Sequence, residues 1–312
     1  MRIFEGNTLT GIRNPVVTLG IFDGVHRGHS MLLGRLREKA AMLGGESVVV
    51  TFSPHPRLVV SDNPETLFFL TSPEEKITLL ERAGIDNLVI LDFTRELSRM
   101  TACDFIEKML YDHLAMKYLV VGFNHRFGVS GSGDIDDITE CASRLGFGVE
   151  RVGSLDGAAG AISSTSIRKA LLAGDIKMAN ELLGYDYFVQ GTIVAGRKLG
   201  RELGFPTANV MTGYSHKLVP ADGVYVVKIR FNGREFEGMA NLGNRPTVNI
   251  SGEPKSVEVH IFNFNESIYG QSVSLSFLHR LRDEMKFPGV EELRLQLERD
   301  KGNAIKYLSL VK

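Results

Sequence analysis

Along the first half of the chain, short unbroken apolar runs alternate with longer stretches whose apolar residues fall three and four apart. The runs are Val16-Val17-Thr18-Leu19, Ser47 to Phe52, Asn87 to Leu91, Tyr118 to Val121 and Gly148 to Val152. Runs this short, without polar alternation, fit strands covered on both faces. Between them the spacing predicts helices. Ser30 to Leu43 places Leu33, Leu36, Ala40 and Leu43 on one side. Ser72-Pro73-Glu74-Glu75 opens another with a serine cap, a proline in the first turn and a glutamate at the third position. Thr101 caps a third, which continues through Phe105, Ile106, Met109 and Leu110. Alternating strands and helices of this kind predict an α/β layer built on a parallel sheet.

The pattern changes near Tyr185, after a last helix over Ile176 to Leu183. Phe188 to Val194, Val224 to Phe231, Arg234 to Met239, Val257 to Phe264 and Val273 to Phe277 all read as strands with little helix between them. Asn232-Gly233 between two of these runs signals a type I′ hairpin. Closely spaced strands with turn residues predict a small antiparallel barrel. One helix, from about Val290, closes the chain with Leu293, Leu297, Ile305 and Leu308 as its apolar positions. The expected boundary lies between Gly184 and Tyr187, dividing the chain into 1–184 and 185–312.

Composition narrows the function without choosing it. At 43% hydrophobic and 23% charged, the 312 residues have the profile of a globular protein. A net charge of −1 argues against a broad electrostatic grip on nucleic acid. No apolar run approaches membrane-spanning length, and the first residues lack the apolar core of a secretory signal, so the expected location is the cytoplasm. Cys103 and Cys141 lie far apart in two helical segments and read as buried thiols of a reducing compartment.

The densest candidate chemistry in the first half is Gly20-Ile21-Phe22-Asp23-Gly24-Val25-His26-Arg27-Gly28-His29, where a strand turns into a helix. Glycines at 20, 24 and 28 allow close backbone approach, and free N–H groups at a helix start favour an anion. The histidine pair adds donors and some positive charge, and both rings are expected to be partly exposed. A metal site competes, but no carboxylate or cysteine cluster accompanies the pair. Three further clusters leave the same ends of neighbouring strands: Thr51 to Pro56, Gly122 to Gly128, and Ile162 to Arg168. In the last, hydroxyls at a helix start with an arginine on its first turn form a phosphate site, although Ser164 and Thr165 taken alone are plain helix caps. A lone His55 reads as a turn residue.

In the second half, Gly196 to Asn209 is glycine-rich and basic and closes on Pro206-Thr207-Ala208-Asn209. It is not a GxxxxGK[ST] loop; a solvated surface loop and a phosphate-covering loop both fit. Thr207 and Asn209 share a face of an extended segment and offer oxygen donors suited to Mg²⁺. Glu258 shares one strand face with His260, opposite Val257, Val259 and Ile261.

Together these motifs resemble the bacterial bifunctional riboflavin kinase/FAD synthetases, in order and nearly end to end. The resemblance implies an N-terminal Rossmann-like nucleotidyltransferase domain that transfers AMP from ATP to FMN. It also implies a C-terminal six-stranded barrel that phosphorylates riboflavin. In the first domain it implies ATP contacts at Gly20, Phe22, Asp23 and Gly24, with His26 and His29 on the phosphates. Ser164, Thr165 and Arg168 form a second phosphate motif, and Asn124 and Arg126 lie on the flavin side. His125 stands where the family more often has an aromatic residue. In the second domain it implies ATP contacts at Gly196, Lys198, Gly200, Thr207 and Asn209, with Mg²⁺ at the last two. Glu258 is implied as the base, and Arg282, Glu284 and Phe287 as parts of a loop that closes over the flavin. Phe123, Phe127 and Phe287 are candidates for stacking on the ring. The implied partners are ATP, riboflavin, FMN and FAD, with Mg²⁺ carried by ATP. Two other readings remain at this point. One is a single nucleotidyltransferase with a non-catalytic barrel; the other is a flavin-binding protein without activity.

Overall fold

The computed structural model describes residues 1–6, 11–123, 128, 133–157, 160–196, 200, 203–243 and 255–311. By packing, these form two compact units, Met1–Ser164 and Thr165–Lys312.

The first unit is built on a six-stranded parallel sheet: β1 (Arg2–Glu5), β2 (Val16–Leu19), β3 (Ser47–Ser53), β4 (Asn87–Asp92), β5 (Tyr118–Val121) and β6 (Gly148–Arg151). The spatial order is β1-β4-β3-β2-β5-β6. All five expected strands are present. The sixth, β1, pairs with β4 at the edge and is largely exposed, which is why its four mixed residues gave no apolar run. The helices are α1 (Arg27–Met42), α2 (Pro56–Val60), α3 (Pro73–Arg82), α4 (Ala102–Phe105), which widens into a π-helical stretch over Ile106–Asp112, and α5 (Ile135–Leu145). The expected capping box of α3 forms in full, the Ser72 hydroxyl accepting from the Glu75 N–H and the Glu75 carboxylate from the Ser72 N–H.

One expectation is corrected here. Cys103 and Cys141 are a disulfide, not two separate thiols, with Cα atoms 5.8 Å apart. Their helices, α4 and α5, pack side by side in one apolar cluster, a meeting that sequence separation conceals. The oxidised pair also removes the thiol argument for a reducing compartment. Closing a loop of 38 residues is worth about 3–4 kcal/mol in the chain-entropy model. Cys141→Ala, or a reducing agent, is therefore expected to lower the first unit's calorimetric melting temperature by about 5–15 °C. An unchanged melting temperature would rule the crosslink out.

α6 (Ser164–Leu172) begins at the end of the first unit and continues into the second, followed by α7 (Ile176–Leu183). The second unit is a closed antiparallel barrel of six strands: β9 (Phe188–Val194), β10 (Ala208–Thr212), β11 (Gly223–Phe231), β12 (Arg234–Gly243), β13 (Ser256–Ile261) and β14 (Ser272–Arg282). The two-residue strands β7 (Asp156–Gly157) and β8 (Gly160–Ala161) form a separate small ribbon in the first unit. The barrel closes in the order β10-β13-β12-β11-β14-β9. Asn232 and Gly233 turn β11 into β12 with φ of 49° and 72°, as a type I′ turn requires. α8 (Val290–Leu310) lays Ala304 and Leu308 against Phe205, Val226, Met239 and Phe262.

Candidate active sites

In the first unit the chain winds from β2 to β3 and β4 on one side, then crosses to β5 on the other side of β2. The direction of winding therefore reverses between β2 and β5, and ligands of open α/β sheets bind at the strand ends beside such a reversal. The Gly20–His29 turn leaves β2, and the segment from Gly122 leaves β5. Asn124 and Arg126 lie outside the described residues.

The β2–α1 turn is conformationally unusual. Phe22, Gly24 and Val25 all have positive φ, at 51°, 85° and 36°. Such geometry in non-glycine residues persists only where the surroundings impose it. Here Phe22 and Val25 are buried, and two straps hold the turn. The Asp23 carboxylate accepts from the Thr71 N–H (3.1 Å) and hydroxyl (3.4 Å), and the Thr71 hydroxyl accepts from the Gly24 N–H. The Ser164 hydroxyl donates to the Asp23 carbonyl at 2.8 Å. Two glycines of the motif serve the turn itself. A Cβ at Gly20 would press on the Phe22 ring, and one at Gly28 would meet the His26 ring at 3.3 Å.

His29 is partly exposed as expected, His26 is not, and both differ from the sequence expectation in charge. His26 is buried, and its ring lies 3.7 Å from that of His29 in a near-parallel stack. Burial lowers the His26 pKa to about 4. Burial, then His26, then the Lys76 charge hold His29 well below the usual imidazole value. Both rings are therefore neutral near pH 7 and act as hydrogen-bonding groups rather than cations. His26 caps α1, its Nδ1 accepting from the His29 backbone N–H at 3.3 Å. An accepting Nδ1 fixes the proton on Nε2, which becomes a donor. His29 Nδ1 is buried with no hydrogen-bond partner.

Lys76, outside every motif named above, reaches the same place. Its ammonium lies 3.5 Å from the Thr51 hydroxyl at the end of β3, and that hydroxyl is 3.4 Å from the Ile21 carbonyl. Burial lowers its pKa to about 8, with Asp23 opposing. Further along α6, the Arg168 guanidinium is 3.5 Å from the Thr165 hydroxyl. Phe123 is half exposed, with the Arg151 guanidinium 5.2 Å from its ring centre. His55 caps α2 through Nδ1 and stacks on Phe69, so it is a turn residue as expected.

In the barrel, strand register gathers the candidate residues. Asn209 of β10 stands opposite Glu258 of β13, and Glu258 stands opposite Asn241 of β12. Directly paired residues project to the same face, so these three side chains form one row. Asn209 is nearly buried, and Gly196 lies so close to its amide that any Cβ there would collide. His260, two residues beyond Glu258, is buried rather than solvated. Its Nδ1 lies 2.9 Å from the Pro206 carbonyl, tying β13 to the residue before Thr207. Gly200 approaches the Thr207 side chain. Lys198 lies outside the described residues. Arg282 is held bidentate by the buried Asp300 of α8, at 2.8–3.1 Å, with Phe287 beneath its guanidinium. Glu284 is exposed, its carboxylate against Gly243. Among the described residues no three His, Cys, Asp or Glu side chains cluster as a metal site.

The family model described as FAD synthetase matches residues 10–166, and that described as riboflavin kinase matches 183–308. Three similar proteins are each described as a bifunctional riboflavin kinase/FMN adenylyltransferase. That of Haemophilus influenzae is 41% identical, covering 96% of this chain and 97% of the relative. The Bacillus subtilis protein is 38% identical over 94% and 92%, and the Escherichia coli K12 protein 34% over 95% and 94%. A solved structure from Streptococcus pneumoniae, described as a macrolide-efflux protein, superposes with a TM-score of 0.88 at 32% identity, covering 97% of this chain and 98% of that one. No described helix here is long and apolar enough to cross a membrane.

Proposed function

The chain belongs to the bifunctional riboflavin kinase/FMN adenylyltransferase family, and from that we infer a two-step synthesis of FAD. The barrel phosphorylates riboflavin to FMN with ATP, and the α/β half transfers AMP from a second ATP to FMN. The division of labour is proposed at 184/185, two residues into the riboflavin kinase match that begins at residue 183.

In the first step the riboflavin 5′-hydroxyl oxygen attacks the γ-phosphorus of ATP and ADP leaves. Glu258 is proposed to orient that hydroxyl and take its proton as the new bond forms. Thr207 and Asn209 are proposed to hold the Mg²⁺ of Mg-ATP. Hard oxygen donors suit that ion, and the buried Asn209 amide beside Glu258 fits the role. Mg²⁺ would neutralise phosphate charge. Gly196, Lys198 and Gly200 would line the ATP, and Glu284 and Phe287 the flavin, with Arg282 anchoring their loop to α8.

In the second step an FMN phosphate oxygen attacks the α-phosphorus, the α–β bridging bond breaks and pyrophosphate leaves. No proton needs to move, so positioning and charge stabilisation dominate. The proposed donors are the neutral imidazoles of His26 and His29 and the turn from Gly20 to Gly24. Ser164, Thr165 and Arg168 would form the second phosphate contact, and Asn124 and Arg126 the flavin side. A cytoplasmic location fits two ATP-dependent steps.

The observation that carries this reading is the presence of both families in one chain, one after the other. The test is incubation with riboflavin and Mg-ATP, followed by chromatography. FMN appearing first and FAD after it is the expected result. FMN as the sole product, with none converted when FMN is supplied, would refute the second activity; no product at all would refute both.

A further inference from the structure

With His26 and His29 neutral, the charge of the adenylyl-transfer site has to come from elsewhere. Two anions meet in this reaction, the triphosphate of ATP and the phosphate of FMN. The turn itself adds a carboxylate, Asp23, already pinned by Thr71. We propose that Lys76 is a substrate-contacting residue of this site, its ammonium binding the ATP phosphates beside His29. The proposal rests on FMN adenylylation by this half.

Three observations place the lysine. Its helix is fixed to the histidine turn, because Thr71 straps Asp23 and Gly24 while Ser72, the next residue, caps α3. Lys76 follows Ser72 by four residues and so projects from the same side of the helix. Its ammonium reaches the Thr51 hydroxyl at the carboxyl end of β3, the strand next to β2 in the sheet. Among the described residues it forms no ion pair, although the field of Asp23 reaches it and its own charge depresses His29. Within the turn and the helix strapped to it, Lys76 is the cation set against the Asp23 carboxylate. A partly desolvated ammonium held against a hydroxyl is replaceable by a phosphate oxygen as its partner.

The ionisation supplies a readout that a structural lysine would lack. The titratable groups that face the ammonium are Asp23 from the β2–α1 turn and His29 from α1. His29 is already neutral at pH 7, so its charge does not change as the pH rises further. In the free enzyme the Lys76 pKa is about 8. FAD formation measured as kcat/KM for ATP, which reports free-enzyme ionisations, should therefore fall as pH rises through about 8. Lys76→Arg keeps its charge across this range and should lose that basic limb. Lys76→Met should reduce kcat/KM for ATP in FAD formation by about 10²–10³-fold at pH 7, while riboflavin phosphorylation by the barrel reports that the chain is folded. A Lys76→Met enzyme that makes FAD at the wild-type rate, or a basic limb unchanged in Lys76→Arg, would overturn the proposal. Wild-type protein that makes no FAD at all would instead overturn the adenylyltransferase reading beneath it.

Discussion

Replacing His29 by alanine is expected to cut FAD formation from supplied FMN by about 10²–10³-fold, the usual cost of one oxyanion donor, with FMN formation from riboflavin unaffected. His26 Nδ1 accepts from the backbone N–H of residue 29, which alanine retains, so the helix start survives the change. What disappears is an imidazole stacked at 3.7 Å on His26, one of whose nitrogens, Nδ1, is buried without a partner. A buried polar atom of this kind is costly unless a bound group completes it. The corresponding change at His26 would be less informative, because it removes the cap as well as a donor. Steady-state rates with FMN and, separately, with riboflavin as acceptor decide the matter. FAD formation within a few-fold of wild type would remove His29 from the reaction. Loss of both activities in a folded protein would mean that the two sites are not independent.

How much of this was legible in the sequence depends on how far each feature is set by neighbours along the chain. Buried strands such as Val16–Leu19 and the Ser72–Glu75 cap are local, and the apolar runs and the capping spacing announce them. The edge strand Arg2–Glu5 has neither signal, since its stability comes from pairing with β4. β10 was visible only as an extended Thr207–Asn209 segment, because its five residues hold a single adjacent apolar pair, Val210 and Met211. The disulfide depends on two helices meeting after 38 residues, and nothing in the spacing encodes that meeting. The histidine motif was plain, but its charge was not. A sequence gives an imidazole its reference pKa, and only burial against Phe22 and the partner ring lowers it. Lys76 was hidden for the same reason. On a helix that reads as amphipathic, a lysine is assigned to solvent until the fold turns that helix toward the strand ends.

Glu258→Gln is expected to abolish most riboflavin phosphorylation while FAD formation from supplied FMN continues at the wild-type rate. Glutamine matches the size of glutamate and keeps a polar group in the row with Asn209 and Asn241, so the register of β10, β13 and β12 has no reason to change. It cannot accept the proton of the 5′-hydroxyl. A positioned base contributes about 10²–10⁴-fold, or roughly 3–5 kcal/mol of barrier. The loss should appear in kcat far more than in KM for riboflavin, since hydrogen bonding to the ground-state hydroxyl survives in the amide. Supplied with riboflavin alone, the variant should yield neither FMN nor FAD; supplied with FMN, it should yield FAD normally. That asymmetry separates a lost base from a damaged chain, because a misfolded protein would fail in both assays. A well-folded Glu258→Gln enzyme that forms FMN at the wild-type rate would show that the hydroxyl loses its proton elsewhere, and the row of Asn209, Glu258 and Asn241 would then be a binding surface only.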